Sequence, residues 1–352
     1  KIDFNFIPGK IERWEMNPEK IAVLGAGSWG IAIANLLHSN GHQVTLWEFN
    51  PDDCRMLQKN RNHRSKLPGI VIPNEIEISN NLPESVSAGD YLIMALPAQK
   101  IRQVGMALNP LLKSPRYFVN LAKGVEIGTL LTMSQVINEA IAVAGDNNVA
   151  TLSGPSHAEE VSRNLPTTVV AASANAEYAM QVQRLFNNRF FRVYRSTDLI
   201  GVELGGSLKN VIAIASGITQ GLGFGDNTTG ALITRGLAEI TRMGVKLGAD
   251  PLTFAGLSGI GDLITTCISK HSRNRYVGEH IGRGEKLKDI LNNMVMVAEG
   301  VDTCRSAYAM AVKYEVEMPI TAEVYRILFE DKPAAEALAD LMGRSIKEEV
   351  WN

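Results

Sequence analysis

Lys20-Ile21-Ala22-Val23-Leu24-Gly25-Ala26-Gly27-Ser28-Trp29-Gly30 decides the fold, because an apolar strand pattern runs directly into Gly-x-Gly-x-x-Gly. This order predicts a dinucleotide-binding loop. Gly25 makes the tight turn, Gly27 lets the backbone approach a pyrophosphate without a Cβ, and Gly30 lets the next helix pack closely on the strand. The free N–H groups that open that helix then face the phosphates. Working outward, Ile31 to His38 has a helical pattern and Gly41 is its stop. The strand pattern Gln43-Val44-Thr45-Leu46-Trp47 delivers Glu48, which lies 23 positions after Gly25 (48 − 25). That is close to the ~20 expected for an acid accepting a ribose 2′-OH. Gly25, Gly27, Ser28, Trp29, Gly30 and Glu48 are therefore cofactor-binding candidates. Phe49, next to the acid, is placed either to pack on adenine or to enter the core.

The chain has 352 residues and 45% apolar content, enough for a large core and two domains. Its formal charge of −2 comes from 35 basic against 37 acidic side chains, so no positive field favours nucleic acid or an anionic membrane. A small-molecule partner is expected. The 3 cysteines, Cys54, Cys267 and Cys304, are widely spaced, which suits free thiols in a reducing cytoplasm. No metal site is expected. No uninterrupted apolar run reaches the ~18 residues of a spanning helix, and the first residues lack the basic-then-apolar order of a signal peptide. We therefore expect a cytoplasmic protein without a membrane span. Residues 1–17 read as an extension ahead of the first strand, with Met16 a natural start.

Beyond the loop, strand and helix patterns alternate, which predicts a doubly wound parallel sheet covered on both faces. Tyr91 to Leu96, Tyr117 to Ala122 and Asn148 to Leu152 read as buried strands, ended by Pro97, by Lys123-Gly124 and by Ser153-Gly154-Pro155. Thr167 to Ala172 and Phe190 to Tyr194 read as closing strands. In open α/β sheets the C-terminal strand edge is where ligands sit. After about Ser196 the apolar residues recur at helical spacing, through Leu199 to Thr219, Ala231 to Leu247, Ser306 to Tyr314 and Ala334 to Met342. The expected division is a Rossmann domain over 18–195 and an all-helical substrate-binding domain over 196–352.

Within the helical half, Lys209 and Asn210 sit in a strongly apolar, glycine-rich helix, so the lysine must snorkel out or work in a cleft. Asp262 stands among apolar and glycine neighbours, and Ser272-Arg273-Asn274 follows a short polar loop. Taken singly, Asp262 could be a helix cap and Arg273 a surface charge.

Together these segments resemble the NAD(P)-dependent glycerol-3-phosphate dehydrogenases of the bacterial type. The likeness runs from about Pro18 to Ser345. It rests on Gly-Ala-Gly-Ser-Trp-Gly (25–30), Ala-Lys-Gly (122–124), Ser-Gly-Pro-Ser (153–156) and Val-Glu-Leu-Gly-Gly-Ser-Leu-Lys-Asn (202–210). Gly-Asp-Leu-Ile-Thr-Thr-Cys (261–267), Ser-Arg-Asn (272–274) and Val-Ala-Glu-Gly (297–300) complete it. The resemblance implies reduction of dihydroxyacetone phosphate to sn-glycerol 3-phosphate, or the reverse, with NAD and possibly NADP, in a homodimer that feeds glycerophospholipid synthesis. It implies that Lys209 is the catalytic lysine, that Lys123 polarises the carbonyl and meets the cofactor, and that Asp262 orients the amine. It assigns the substrate to Gly154, Ser156, Ser272, Arg273 and Asn274 as well, and further cofactor contacts to Ala158, Arg273, Val297 and Glu299. Such roles suit the chemistry: hydride delivered to a ketone leaves an alkoxide that needs a proton donor or a cation. A phosphate needs a guanidinium fork.

Gly205-Gly206 departs from the Cys-Gly or Ala-Gly of many relatives, a change expected to alter helix stability more than chemistry. The loop Ile268-Ser269-Lys270-His271 varies in length across the family, which leaves the approach of Arg273 open. The rival readings are a hydroxy-acid or sugar-acid dehydrogenase of similar architecture, which would have no reason for Ser-Arg-Asn, and a non-catalytic nucleotide sensor, which would have lost Lys209, Lys123 or Asp262.

Overall fold

The computed structural model describes residues 17–346, 348 and 349. The expected extension, 1–17, thus lies outside the described residues except for Asn17. The first half alternates β1 (Lys20–Leu24), α1 (Ser28–Ser39), β2 (Gln43–Trp47), α2 (Pro51–Asn60), β3 (Glu77–Ser79), α3 (Leu82–Ser87), β4 (Tyr91–Met94), α4 (Ile101–Leu108) and β5 (Tyr117–Asn120). It continues with α5 (Met133–Ala140), β6 (Val149–Ser153), α6 (Ala158–Val161), β7 (Thr167–Ala172), α7 (Ala176–Phe186) and β8 (Phe191–Ser196). The strands form one sheet in the order β3-β2-β1-β4-β5-β6-β7-β8. Strand β1 shows how the two faces are built: Ile21 and Val23 enter one core, while Ala22 and Leu24 enter the other. The order reverses between β1 and β4, so their C-terminal ends open a crevice where the glycine loop lies.

The sheet is not wholly parallel, which corrects the expectation from sequence. β7 runs antiparallel to β6, and β8 is parallel to β7. The 4-residue α6 between them rises only about 6 Å, too little to carry the chain back along a strand of about 16 Å. The chain therefore turns and pairs in the opposite sense. β3, three residues long, carries no periodic signal of its own.

The second half is helical among the described residues: α8 (Leu199–Gly221), α9 (Asp226–Lys246), α10 (Pro251–Phe254), α11 (Asp262–Ile268), α12 (Arg273–Gly282), α13 (Leu287–Asn292), α14 (Glu299–Lys313), α15 (Pro319–Phe329) and α16 (Ala334–Met342). Helix α8 is the axis of this half, buried at every position from Gly201 to Thr219. It is long and apolar enough to cross a membrane, yet 89% of its apolar window is covered by the protein itself. The segment Pro251–Ile268 passes the same test, but its backbone leaves helical geometry at Gly259.

Glycines set the closest helix contact. A Cβ on Gly217 or Gly221 of α8 would strike the carbonyls of Arg275 and Glu279 on α12, and one on Gly278 or Gly282 would strike those of Ile214 and Ile218 on α8. The two backbones therefore touch, with no side-chain layer between them. That contact holds the start of α12, with Arg273 and Asn274, close against the helix that carries Lys209.

Candidate active site

The glycine loop has the geometry expected of it. Gly25 adopts φ +113°, and a Cβ on Gly30 would strike the Gly25 carbonyl. At Gly27 an added Cβ would meet nothing within 4 Å, so open space lies over the loop. Helix α1 begins there without a side-chain cap or an acidic residue in its first turn, leaving N–H groups for an anion. These features fit a dinucleotide pyrophosphate. Ser28 is buried at the start of α1, and Trp29 packs partly against the core.

The two residues that follow β2 face opposite ways. Glu48 is only 2% exposed; its Oε1 accepts from Asn50 N at 3.0 Å, and burial pushes its pKa above the usual carboxylate range. It is turned into the loop rather than presented as a surface acid, because the amides of Asn50 and Ala26 attract it inward. Phe49 is 69% exposed, which rules out the core position and leaves its ring free for an adenine face.

At the C-terminal edge of the sheet, three charged groups from separate elements converge. Lys123 follows β5, Lys209 lies in α8, and Asp262 opens α11. Asp262 Oδ1 accepts from Lys209 Nζ at 2.5 Å, and its Oδ2 accepts from Lys123 Nζ at 2.7 Å. Lys209 also donates to Thr266 Oγ1 at 2.5 Å, whose own hydroxyl donates to the Asp262 carbonyl at 2.6 Å. Lys123 also donates to the Gly154 carbonyl at 2.8 Å. An ammonium has three N–H donors, so each lysine keeps one for a ligand. Burial, opposed by Asp262 and reinforced by Lys123, lowers Lys209 to about 8. Asp262 is buried as well, but the two ammonium groups hold its carboxyl below the usual range.

The close fit of this cluster depends on Gly205 and Gly206. A Cβ on Gly205 would lie 2.6 Å from the Ser258 carbonyl, in the segment that leads into Asp262, and one on Gly206 would lie 2.5 Å from Ser153 Oγ. To the expected effect of Gly205 on helix stability this adds a packing constraint: the Ser258 segment lies directly against α8 there.

The remaining candidates separate into bracing and open groups. Gly154 has φ +130° and its carbonyl receives both Lys123 and, at 2.9 Å, Ser156 Oγ. Ala158 is buried at the start of α6. Ser272 is the cap of α12, 3% exposed, with Oγ accepting from Arg275 N at 3.2 Å, which leaves its own O–H to donate. Asn274 is committed to bracing: its Nδ2 donates to Asn210 Oδ1 at 2.9 Å and its Oδ1 accepts from Gly300 N at 2.9 Å. Arg273 is exposed as a residue, with Nη1 donating to the Val297 carbonyl at 2.7 Å, while burial of its guanidinium lowers its pKa from the ordinary value; the Val297 side chain is half exposed. Glu299 spans the two halves by accepting from Ala98 N at 3.1 Å, and burial pushes its pKa up to about 7.

The sequence reading did not name Thr266, Asn210 or His157 as site residues. Thr266 stands four residues after Asp262, on the same helix face. Asn210 stood out beside Lys209 and proves to be a relay, its Nδ2 donating to the Lys123 carbonyl at 3.2 Å. His157 faces the cluster: burial, then Lys209, lowers its pKa, and its buried Nε2 has no hydrogen bond among the described residues. No group of three or more His, Cys, Asp or Glu suited to a metal occurs among the described residues.

Comparison with known proteins places this geometry. The NAD-dependent glycerol-3-phosphate dehydrogenase N-terminus family matches residues 20–179, and the corresponding C-terminus family matches residues 198–339. The chain is 50% identical over 331 residues to a glycerol-3-phosphate dehydrogenase [NAD(P)+] of Chlorobium limicola, covering 94% of this chain and 99% of that protein. It is 50% identical over 333 residues to the Geobacter sulfurreducens protein of the same name, covering 95% and 99%. The crystal structure of glycerol-3-phosphate dehydrogenase from Coxiella burnetii superposes with TM-score 0.88 at 35% identity, over 93% of this chain and 99% of that one. A ketopantoate reductase from Ralstonia eutropha, at 15% identity and TM-score 0.59, shares the fold alone. The chain belongs to the NAD-dependent glycerol-3-phosphate dehydrogenase family.

Proposed function

We propose that this protein reduces dihydroxyacetone phosphate to sn-glycerol 3-phosphate with NAD(P)H, and catalyses the reverse oxidation. The observation that carries this reading is the pair of lysines sharing Asp262, each with one uncommitted N–H. A bound reduced nicotinamide supplies the hydride. Lys123 and Lys209 both aim their remaining donor at the ketone oxygen and stabilise the charge that develops there. Lys209, with its pKa lowered to about 8, gives the proton in reduction and takes one in oxidation. Asp262 holds both amines and stays ionised. Arg273 binds the phosphate with its guanidinium, while Asn274 fixes the start of α12 and Gly154 and Ser156 shape the opposite wall. The glycine loop, Phe49, Ala158, Val297 and Glu299 enclose the cofactor.

Withdrawal of the Glu48 carboxylate from the surface weakens its repulsion of a 2′-phosphate. Both dinucleotides are accepted in this reading, NADH with the larger kcat/KM. The nucleotide-binding domain spans 18–195 and the substrate domain 196–352. The enzyme works in the cytoplasm as a homodimer, an assignment supported by family likeness and by three cysteines that are all free. Oxidation of NADH and of NADPH is to be measured with dihydroxyacetone phosphate, hydroxypyruvate and ketopantoate. Turnover confined to the phosphorylated ketone supports the reading; a preference for either acid overturns it.

A further inference from the structure

Glu203 stands on α8, in the helical half, yet its carboxylate lies among donors of the Rossmann half. Its Oε1 accepts from Thr151 Oγ1 at 2.7 Å, Ser134 N at 2.9 Å and Asn120 Nδ2 at 3.3 Å, and its Oε2 accepts from Ser134 Oγ at 2.6 Å. The residue is 4% exposed, and it forms no ion pair among the described residues. Neutral donors alone therefore satisfy this buried acid, which is costly unless all of them are held in place.

Asn120 passes the constraint to one lysine. Its Oδ1 accepts from Ala122 N at 2.9 Å and its Nδ2 donates to the Ala122 carbonyl at 3.1 Å, which clamps the turn leading into Lys123. Helix α8 passes it to the other, since Lys209 follows six positions later, about 9 Å along the same rigid rod. Asp262 can bridge the two amines only because both stems start from fixed points.

We propose that Glu203 is a positioning residue: by locking α8 to the ends of β5 and β6 it fixes the separation of Lys123 and Lys209, so that their free N–H donors meet the same substrate oxygen. The proposal rests on the two-lysine reading above. A carboxylate that served only as structural glue would affect folding, and not the amines.

Four variants separate these cases: Glu203→Ala, Glu203→Gln, Thr151→Val and Lys209→Ala. Each is measured for kcat, KM for dihydroxyacetone phosphate, Kd for NADH, unfolding midpoint, and the pH profile of reduction. Glu203→Ala, assayed well below its unfolding midpoint, lowers kcat about 10- to 100-fold, as ångström-scale misplacement does, with KM and Kd changed by less than about threefold. Its alkaline limb moves to higher pH. Lys209 is faced by Lys123, Asp262, Cys267 and His157, and a Lys123 that recoils no longer depresses the Lys209 pKa. Glu203→Gln keeps an acceptor oxygen and restores both kcat and the limb. Thr151→Val, nearly isosteric, gives a smaller loss of the same kind and decides the matter if Glu203→Ala does not fold. An unmoved pH limb, a loss shared equally by kcat and NADH binding, or failure of glutamine to rescue overturns the proposal. Substantial turnover in Lys209→Ala overturns instead the reading on which it rests.

Discussion

Lys209 and Asp262, separated by 53 positions in the chain, meet at 2.5 Å in a pocket where both are almost fully buried. Removing two charges from water is expensive, and their attraction offsets this only where further hydrogen bonds complete the geometry. Here Thr266 and Lys123 complete it. The arrangement keeps the acid ionised and places the lysine near its titration point at neutral to mildly alkaline pH.

The first prediction is a pH profile of opposite sign in the two directions. Reduction needs Lys209 protonated, so its kcat/KM falls as pH rises through about 8; oxidation needs the free amine and rises through the same value. Steady-state kinetics between pH 6 and about 10 checks this, since the limb reports the essential acid or base. Profiles of the same sign would exclude Lys209 as the shared proton carrier.

Arg273→Ala acts through the phosphate. The lost charge-assisted contact costs roughly 2–4 kcal/mol in kcat/KM with dihydroxyacetone phosphate and far less with dihydroxyacetone. Equal losses with both substrates would assign Arg273 to the backbone it already touches at Val297.

Gly205→Ala forces the Ser258 carbonyl away from α8. We expect destabilisation of roughly 1–3 kcal/mol in urea unfolding, typical of overpacking, together with a fall in kcat as Asp262 shifts. Full turnover with normal stability would show that the segment yields without moving the acid.

How much of this was legible in the sequence depended on the range of the interaction. The glycine loop, strands β1 and β2 and helix α8 are local patterns, and the chain folds them as written. Lys209, Lys123 and Asp262, which meet in the structure, were singled out because their flanking motifs resemble a family, and not because anything near Asp262 in the chain announces two ammonium partners. The reversal of β7 was not legible, because it follows from the length of the one-turn α6. The turn of Glu48 toward the Asn50 and Ala26 amides and the capping of α12 by Ser272 are short-range contacts that residue type alone did not specify. Glu203 read as an ordinary member of an apolar helix, because its partners lie 52 to 83 positions away.

Glu239 gives a prediction about stability. It lies on α9 and accepts from Ile320 N, Thr321 N and Thr321 Oγ1 at 2.5, 3.1 and 3.0 Å, capping α15 from outside, but burial still pushes its pKa up to about 7 from 4.5. The folded state therefore binds the proton more tightly than the unfolded chain. Its contribution is fully present below about 4.5 and is lost as pH rises through about 7, on the order of 3 kcal/mol in all. Glu239→Gln removes this dependence. The difference in unfolding free energy, variant minus wild type, should grow in favour of the variant from pH 5 to about 8. A difference independent of pH would mean that the three donors outweigh burial.

The most direct test of the central claim is turnover of Lys209→Ala with NADH and dihydroxyacetone phosphate, alongside NADH binding by the same variant. A proton donor that also stabilises the developing alkoxide accounts for about 10²–10⁴-fold by each effect, so turnover should fall by at least about a thousandfold while NADH affinity stays near wild type. Lys209→Arg, which keeps the charge but cannot release the proton, should recover little of it. Turnover above about a tenth of wild type in Lys209→Ala would contradict the account.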